Sequence, residues 1–439
     1  MRSSLSPRST CWYRMVNMGS YATVAINSKT LFWYKNKVNP ELMSLFDTNE
    51  KITLKGLPAF EYLDRLNIND YNPEDIEGVE INVYTSSAGI LKKRLNILGF
   101  SESLVKSVFE TCKREKIDLC HEMIDSYTSD DKNSSVIDIV EIYKKELNEI
   151  KDLEFNDWLS SIREYKNDPD IFNYKNGPLE LIESANERVA LYAVLESFEP
   201  ESVVELDVSD LYDGGWISDE VDDNNSVDIS WNISVSPPII LTEGVFDRSV
   251  LVDTISLLHP EISQSIKFLN TDYKTEGGAS AVIKILKSFA AAGISNRILA
   301  ILDNDTAARE AISTLNIKLP DHFKIILLPE YALLKDYPCI GPQGENNADV
   351  NGLAASIELY LGKDVLSNED ASLVPIQWTG YSTSLKSYQG SIIDKAIIQK
   401  RYKNKIKEAR SNPSLIAEQD WSGVELIIEN IIETLSELR

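Results

Sequence analysis

Hydrophobic runs alternate with amphipathic stretches through the second half of the chain. Four short apolar segments predict buried strands, at residues 239–242, 266–269, 297–302 and 323–328. Between them, apolar residues recur at three- and four-residue steps and predict helices at 246–258, 279–292 and 306–315. Apolar strands separated by such helices are typical of a parallel sheet covered on both faces. We therefore predict an α/β domain with a parallel Rossmann-like sheet at 237–362, whose ligand site lies at the carboxyl ends of the strands.

The first half of the chain shows a different pattern. Alternation over 20–34 predicts a β-hairpin. Helical periodicity follows at five places, at 40–46, 87–98, 101–116, 135–163 and 178–197. These elements predict an α+β N-terminal domain at 18–200. Residues 1–17 carry three arginines and no acid but no apolar core, so we interpret them as an N-terminal extension rather than a signal peptide, with Met18 a candidate start.

Acidic residues are concentrated between the two predicted domains. Residues 201–236 contain ten Asp or Glu and no Lys or Arg. Their Asp, Asn and Gly content predicts a solvated acidic linker, while the sharper alternative is a mimic of nucleic-acid charge. The remaining segment, 363–439, is predicted to be helical.

The charge balance restricts how this chain binds nucleic acid. With 44 basic and 69 acidic residues the formal net charge is −25. Phosphate contacts dominate nucleic-acid affinity, so any such contact must be confined to a local basic patch. Four cysteines without metal-type spacing, and no apolar stretch long enough for a membrane span, lead us to expect a cytoplasmic protein without a membrane partner.

Three acids follow two of the predicted strands. Glu243 follows the strand at 239–242, and Asp303 and Asp305 follow the strand at 297–302. Carboxylates brought this close together repel one another and are tolerated chiefly around a cation, so we expect Mg²⁺ or Mn²⁺ as cofactor. Glu243 is either a metal ligand or the general base. Asp247, one helical turn later, is either a further ligand or a helix cap.

A second ion would need another acid. The candidates are Asp349, Glu345 and Glu358. Asp349 could instead cap a helix predicted at 352–360, and we interpret Glu358, inside that helix, as a solvated or packing residue.

Basic residues cluster near the C-terminus. Lys395 is a candidate for neutralising charge on the phosphate in the transition state, with an ordinary surface lysine as the alternative. Residues 395–410 carry seven Lys or Arg and one acid. The predicted phosphate-backbone contacts are Lys400, Arg401, Lys403, Lys405 and Lys407, with a solvated amphipathic helix as the alternative.

These motifs resemble those of a known family. TEGVFD at 242–247 and LDNDTAA at 302–308 are similar to the acidic motifs of the Toprim domain of primases, topoisomerases and OLD-family nucleases. Further segments resemble bacterial proteins with a HEPN/Toprim-associated N-terminal domain: MGSY at 18–21, YTSSAGILKKRLNILGF at 84–100, EGGA at 276–279 and DVNGLAASIELY at 349–360. The C-terminal YQGSIIDK at 388–395 is similar to the same proteins.

The resemblance implies a metal-dependent nuclease that cuts or nicks DNA, or alternatively RNA, as an antiviral defence effector. Two alternatives stay open. The first is a non-catalytic Toprim regulator that binds a nucleotide, a protein partner or another copy of itself. The second is metal-independent RNA cleavage by a HEPN-type Arg-x₄₋₆-His pair, for which Arg114 and His121 have the required spacing.

Overall fold

A computed structural model describes residues 19–65, 79–128, 134–165, 177–217, 237–270 and 277–438. The chain divides into two compact units. The first comprises residues 1–95 and 100–235, and the second comprises 96–99 and 236–439. No helix within the described ranges is long and apolar enough to cross a membrane.

A five-stranded antiparallel sheet organises the N-terminal unit. Its order is β2-β1-β5-β4-β3. The strands are β1 (Tyr21–Ile26), β2 (Lys29–Lys35), β3 (Lys51–Lys55), β4 (Glu80–Ser87) and β5 (Val203–Asp207). The pairing of β1 with β2 confirms the predicted hairpin.

The central strand β5 lies inside the segment predicted as an acidic linker. It pairs with both β1 and β4, so the linker prediction is wrong for its first residues. Val204 and Leu206 are buried, and the buried acid between them, Glu205, forms a 2.7 Å ion pair with Arg65. The sheet accommodates this acidic strand because successive side chains alternate between its two faces, and because the buried charge of Glu205 is paired with Arg65. Residues 218–236 of the predicted linker lie outside the described residues.

Helices complete this unit. They are α1 (Pro40–Met43), α2 (Leu57–Arg65), α3 (Ala88–Ile97), α4 (Glu102–Thr128), α5 (Ser134–Ile150), α6 (Phe155–Tyr165), α7 (Glu187–Leu195) and α8 (Ser209–Asp213). The prediction of a single helix at 135–163 is wrong, because α5 ends at Ile150 and a separate helix, α6, begins at Phe155. The break lets Phe155 and Trp158 pack on Phe109 of α4, with ring centroids 5.7 and 5.1 Å from it. The helix predicted at 178–197 is a 3₁₀ turn (Pro178–Ile182) followed by α7.

The C-terminal unit contains the predicted parallel sheet. Its order is β10-β8-β6-β7, and every neighbouring pair is parallel. The strands are β6 (Ile239–Thr242), β7 (Lys267–Phe268), β8 (Ile298–Leu302) and β10 (Phe323–Leu327). The helices between them are α9 (Val245–Leu258), α10 (Ala279–Ala291) and α11 (Thr306–Ser313). Every residue of β8 is buried, as expected of a strand covered on both faces.

Two further sheets lie beyond the parallel one. A short pair joins β9 (Asn304–Asp305) to β13 (Ala354–Ala355). A four-stranded sheet of order β12-β11-β14-β15 contains β11 (Tyr337–Gly341), β12 (Gly344–Ala348), β14 (Ile376–Ser382) and β15 (Ser387–Ile392). The antiparallel pair β14–β15 falls within the segment predicted to be wholly helical, so that prediction is wrong for residues 376–392. Helices α12 (Lys363–Leu366), α13 (Lys395–Ser411) and α14 (Ser422–Glu437) make up much of the rest.

Candidate functional site

Two acidic residues meet at the carboxyl edge of the parallel sheet. Strands β6 and β8 are neighbours in parallel register, with Thr242 opposite Ile301, so the residues that follow them emerge side by side. The backbone amide of Asp303 donates to Oε1 of Glu243 at 2.8 Å. Gly278, in the left-handed region at φ 92°, donates its own amide to the carbonyl of Glu243 at 2.9 Å. The backbone thus holds Glu243 from both sides.

Two more acids at this edge begin helices. Asp305 caps α11, and its Oδ1 accepts from the amide of Ala308 at 2.7 Å. Asp247 lies in the first turn of α9, and its Oδ2 accepts from the amide of Gly244 at 2.8 Å. Gly244 is the N-cap residue of α9, and Asp247 is the third helical residue, whose carboxylate accepts the N-cap amide. Asp247 therefore takes part in capping without being the cap residue, and its role as a metal ligand stays a prediction. Both hydrogen bonds fix where these carboxylates lie relative to the strand ends.

Glu358 is the acid whose environment the sequence interpretation missed. Its side chain is fully buried, and it lies in a 3₁₀ turn (Ile357–Tyr360) instead of the helix predicted at 352–360. Lys395, the first residue of α13, places Nζ 3.1 Å from Oε1 of Glu358, and Gln399 donates to the same oxygen at 2.9 Å. Lys395 therefore pairs with a buried acid and is more than an ordinary surface lysine.

The electrostatics of these residues show that they share one environment. Burial, followed by the charges of Asp305 and Asp247, raises the pKa of Glu243 to about 7. Burial and the charge of Glu358 raise the pKa of Asp247 to about 6. Burial raises the pKa of Asp303 well above its usual value, and the charges of Asp247 and Glu243 add to that shift. Burial likewise raises the pKa of Asp305.

Lys395 is a cation that acts on several of these acids, and Arg309 also acts on Asp305. Burial alone would lower the pKa of Lys395, but the charges of Glu358, Asp303 and Asp247 raise it above the usual value. The charge of Lys395 in turn opposes the rise in the pKa of Asp247 and of Asp305. We refer below to Glu243, Asp247, Asp303, Asp305, Glu358 and Lys395 as the acidic cluster. When all five carboxylates are ionised, the one ammonium group leaves the cluster with an excess of negative charge.

A hard divalent cation suits the chemistry of these donors. Mg²⁺ and Mn²⁺ prefer carboxylate oxygens, and a bound cation would offset both the cost of burying these carboxylates and the repulsion among them. Within the described ranges, however, no three Asp, Glu, His or Cys side chains are placed so that they could hold one ion. Side-chain rotation would therefore be needed for Glu243, Asp303 and Asp305 to converge on it. In the present arrangement Glu243 and Asp303 each accept a backbone amide, the latter that of Ile357 at 3.2 Å.

The structure gives the other candidate ligands a different setting. Asp349 is exposed, and its Oδ1 accepts from the backbone and side-chain amides of Asn351 at 3.0 and 2.9 Å. It therefore closes a local turn and does not cap a helix. Glu345 is exposed on β12, opposite Ile340. Among the three acids proposed for a second ion, Glu358 is the one whose charge acts on Asp247 and Asp303.

The predicted nucleic-acid contacts divide into two groups on α13. Lys400, Lys403 and Lys407 are exposed. Lys405 is only 4% exposed, and its Nζ donates to the carbonyl of Leu361 at 3.0 Å and to Asp364 at 2.9 Å. Arg401 donates to the carbonyls of Val365 and Ser367 at 3.2 and 2.9 Å. The prediction is therefore wrong for Lys405, and Arg401 has a structural role.

The alternative ribonuclease pair lies on one helix. Arg114 and His121 are both exposed on α4, seven residues apart. Seven residues rise about 10 Å along an α-helix, which separates the two side chains by two turns. The structure thus places them on a similar face but does not bring them together in a buried site.

The comparisons with known proteins concern the first half of the chain. Residues 18–228 match the family described as HEPN/Toprim N-terminal domain 1. No curated protein and no solved structure matches the chain. The match spans the antiparallel sheet of the N-terminal unit and ends before β6, where the acidic cluster begins. The chain therefore contains a HEPN/Toprim-associated N-terminal domain.

Proposed function

We propose that the C-terminal unit is a Toprim-type, Mg²⁺- or Mn²⁺-dependent phosphodiester hydrolase that cuts or nicks nucleic acid, with DNA preferred to RNA. The observation that carries the proposal is the acidic cluster, in which acids from several chain segments share one edge of a parallel sheet. Such a group is costly to bury without a compensating cation. The HEPN/Toprim-associated N-terminal domain adds support, since its family name pairs it with nuclease-related domains.

Each side chain has a role in this proposal. A divalent ion, when bound, would polarise the phosphate and lower the pKa of a water molecule. Asp303 and Asp305 would hold it, with Asp247 as a further ligand. Glu243, which the amide of Asp303 holds in place, would accept a proton from the attacking water. The pKa of Glu243 is about 7 in the metal-free protein, and a bound cation would lower it, so that the carboxylate would be ionised and able to accept the proton.

Lys395 has the complementary role. Its side chain is half exposed, and its ammonium nitrogen lies 3.1 Å from the buried Glu358, so it presents a positive charge beside the acids. That charge would stabilise the additional negative charge on the phosphate in the transition state. The exposed Lys400, Lys403 and Lys407 extend the positive charge along α13 and would contact the phosphate backbone.

A plasmid assay tests the proposal. Supercoiled DNA and single-stranded RNA would be incubated with the full chain in Mg²⁺, Mn²⁺ or EDTA. We expect metal-dependent nicking that falls by at least about 10²-fold in Asp303→Asn and persists in Asp349→Asn, whose carboxylate is exposed. Cleavage that continues in EDTA and disappears in His121→Ala would contradict the proposal and favour the ribonuclease alternative.

The family of the N-terminal domain also motivates a cellular role in antiviral defence. We expect bacteria that express the chain to plate phage less efficiently than bacteria that express Asp303→Asn. Equal plating by the two strains would contradict that role while leaving the plasmid assay to decide the chemistry.

A non-catalytic role is the second candidate, and one observation favours it. Glu243 and Asp303 accept backbone amides, and Glu358 pairs with Lys395, so part of the negative charge is neutralised within the chain. On that account the unit binds a nucleotide or a protein partner and does not cut. Binding of a partner by the chain of 439 residues, without binding of Mg²⁺ or Mn²⁺, would support this second candidate.

A further inference from the structure

Three aromatic side chains form a strip on one face of the β14–β15 hairpin. The rings of Trp378 and Tyr388 lie 5.9 Å apart between centroids, and those of Tyr381 and Tyr388 lie 5.1 Å apart. Tyr381 is 51% exposed and Tyr388 57% exposed, although large aromatic side chains usually bury most of their surface. We call Trp378, Tyr381 and Tyr388 the aromatic strip.

A β-bulge creates this strip. Trp378 and Tyr381 are three residues apart, so a regular strand would direct them to opposite faces. The register instead shifts between Trp378 and Gly380, which inserts Thr379 as an extra residue in β14. Both rings consequently pack against Tyr388 on the partner strand. Bulges that re-aim a side chain are over-represented next to active sites.

Gly390 is also required for this arrangement. A Cβ at this position would lie 2.7 Å from Ile376 and 3.0 Å from the ring of Trp378, so only glycine lets that ring lie across the hairpin. Trp378 thereby fills the inner end of the strip and supports the two exposed tyrosines.

The strip is joined to the acidic cluster through the backbone. Thr306, the residue after Asp305, donates its hydroxyl to the carbonyl oxygen of Tyr388 at 2.6 Å. In the other direction, β15 ends at Ile392 and leads within three residues to Lys395. The strand that carries Tyr388 is therefore anchored at one point beside an acid of the cluster and ends beside its cation.

The charge of this region is opposite to that of the whole chain. Residues 376–407 contain seven Lys or Arg and one acid, in a chain whose net charge is −25. Of these basic residues, Lys400, Lys403 and Lys407 are exposed on α13. The hairpin thus carries exposed aromatic rings, and the helix that follows it carries exposed lysines. Proteins that bind single-stranded nucleic acids combine these two groups, because rings stack on bases while basic groups follow the phosphates.

We propose that Tyr381 and Tyr388, supported by Trp378, stack on unpaired bases of a single-stranded nucleic acid and guide its backbone to the acidic cluster. The choice of ligand rests on the proposed function, which it narrows to a substrate with unpaired bases. Bases in an intact duplex stack on one another and expose only their edges, so the strip discriminates against double strands. Stacking on a ring is tolerant of sequence, so little base preference is expected.

Binding measured without cleavage tests this inference. Fluorescein-labelled oligo(dT), oligo(rU) and a duplex of equal length would be titrated with the full chain in EDTA, with fluorescence anisotropy as the readout. We expect single strands to bind more tightly than the duplex, and Tyr388→Leu and Tyr381→Leu each to weaken single-strand binding by at least about fivefold. The comparison of oligo(dT) with oligo(rU) shows whether DNA or RNA is preferred.

Matched variants separate stacking from folding. Tyr388→Phe keeps the ring and should bind as the wild type does, whereas Tyr388→Leu should not. Trp33→Leu removes a ring that is 54% exposed in the N-terminal unit and should leave binding unchanged. A melting temperature within a few degrees of wild type confirms that each variant is folded.

Several outcomes would overturn the inference. One is that Tyr388→Leu binds single strands as tightly as the wild type does, and another is that Trp33→Leu loses as much single-strand affinity as Tyr388→Leu. The others are that the duplex binds more tightly than single strands, and that the strip binds a protein partner while the chain has no affinity for oligonucleotides. Failure of the proposed function is distinguishable, because ring-dependent binding in EDTA without metal-dependent cleavage would sustain the inference alone. Cleavage without ring-dependent binding would sustain the proposed function alone.

Discussion

The backbone amide of Asp303 donates a 2.8 Å hydrogen bond to the carboxylate of Glu243, a residue 60 positions earlier in the chain. The bond joins the ends of two neighbouring parallel strands, so it depends on the sheet being formed. It also places two carboxylates with raised pKa values in one environment. The predictions that follow depend on this juxtaposition.

Removing the charge of Asp303 should stabilise the metal-free protein. Burial and four neighbouring acids disfavour its ionised form, and an asparagine can still accept the amide of Ile357. We expect Asp303→Asn in EDTA to gain about 1 kcal/mol of unfolding free energy, or about 2–4 °C in melting temperature. Asp349→Asn, at an exposed acid, is the control and should change neither quantity. A lower melting temperature for Asp303→Asn would show that its negative charge is already compensated within the chain.

The stability of the metal-free protein should depend on pH through Glu243. Its folded-state pKa of about 7 lies above the ordinary value of 4.5, so the folded state holds the proton more tightly than the unfolded state. The stabilisation is fully present below pH 4.5 and is lost as pH rises through about 7. Asp247, raised to about 6, acts in the same direction.

Thermal unfolding across this pH range in EDTA measures the effect. We expect Glu243→Gln to flatten the dependence, since the amide does not titrate. With saturating Mg²⁺ the dependence should weaken or reverse, because the cation competes with protons for the same oxygens. An identical profile with and without Mg²⁺ would count against a metal at these residues.

The pair formed by Lys395 and Glu358 should be coupled energetically. Lys395→Met leaves a fully buried carboxylate without its cation, which should cost about 1–3 kcal/mol of unfolding free energy after allowance for the half-exposed lysine. Glu358→Gln in the same chain should recover most of this loss, because the amide is uncharged. Urea unfolding of both single variants and the double variant gives the coupling energy. Additive losses of unfolding free energy would show that the two side chains do not interact. In the plasmid assay, Lys395→Met should reduce cleavage by about 10²-fold.

Two neighbouring lysines on α13 should behave in opposite ways. Lys405 is buried with Asp364 and lies 4.2 Å from the ring centroid of Trp421, so Lys405→Ala should cost about 3–5 kcal/mol of unfolding free energy. Lys403 is exposed, and Lys403→Ala should change stability by less than about 0.5 kcal/mol while weakening nucleic-acid binding and its salt dependence. Urea unfolding with binding titrations at two salt concentrations checks both. Comparable stability losses would contradict the division of α13 into a buried and an exposed face.

Much of the parallel sheet could be predicted because its signal is local. Each strand is a short apolar run, and β6 and β8 are each followed at once by an acid. The hydrogen bonds at Asp247 and Asp305 are predictable for the same reason, because each joins residues only three positions apart at the start of a helix. The juxtaposition of Glu243 with Asp303 followed from the rule that parallel strands end at a common edge.

The sequence analysis missed features of two kinds. One kind depends on contacts between residues distant in sequence, and the other is a strand alternation that an acidic composition obscured. The buried carboxylate of Glu358 is neutralised by Lys395 and hydrogen-bonded by Gln399. Sequence spacing cannot reveal partners that are more than 30 residues away. The position of Glu358 inside the apolar run Ile-Glu-Leu-Tyr-Leu was the available signal. Strand β5 was obscured by the acidic composition of 201–236, although Val204 and Leu206 alternate as a strand requires.

The sequence of α13 also contained a signal that one of its lysines is buried. Ile398, Tyr402, Ile406 and Ala409 recur at three- and four-residue steps, and Lys405 falls on the face they define. Its burial was therefore predictable from periodicity, whereas its pairing with Asp364 was not.

Titration of the metal-free full chain with Mn²⁺ at pH 8, followed by isothermal calorimetry, tests the central claim most directly. We predict saturable binding to the wild type and to Asp349→Asn, and affinity reduced by at least about tenfold in Asp303→Asn and in Asp305→Asn. Absence of saturable binding to the wild type, or equal affinity in Asp303→Asn, would contradict the claim that the acidic cluster is a metal site.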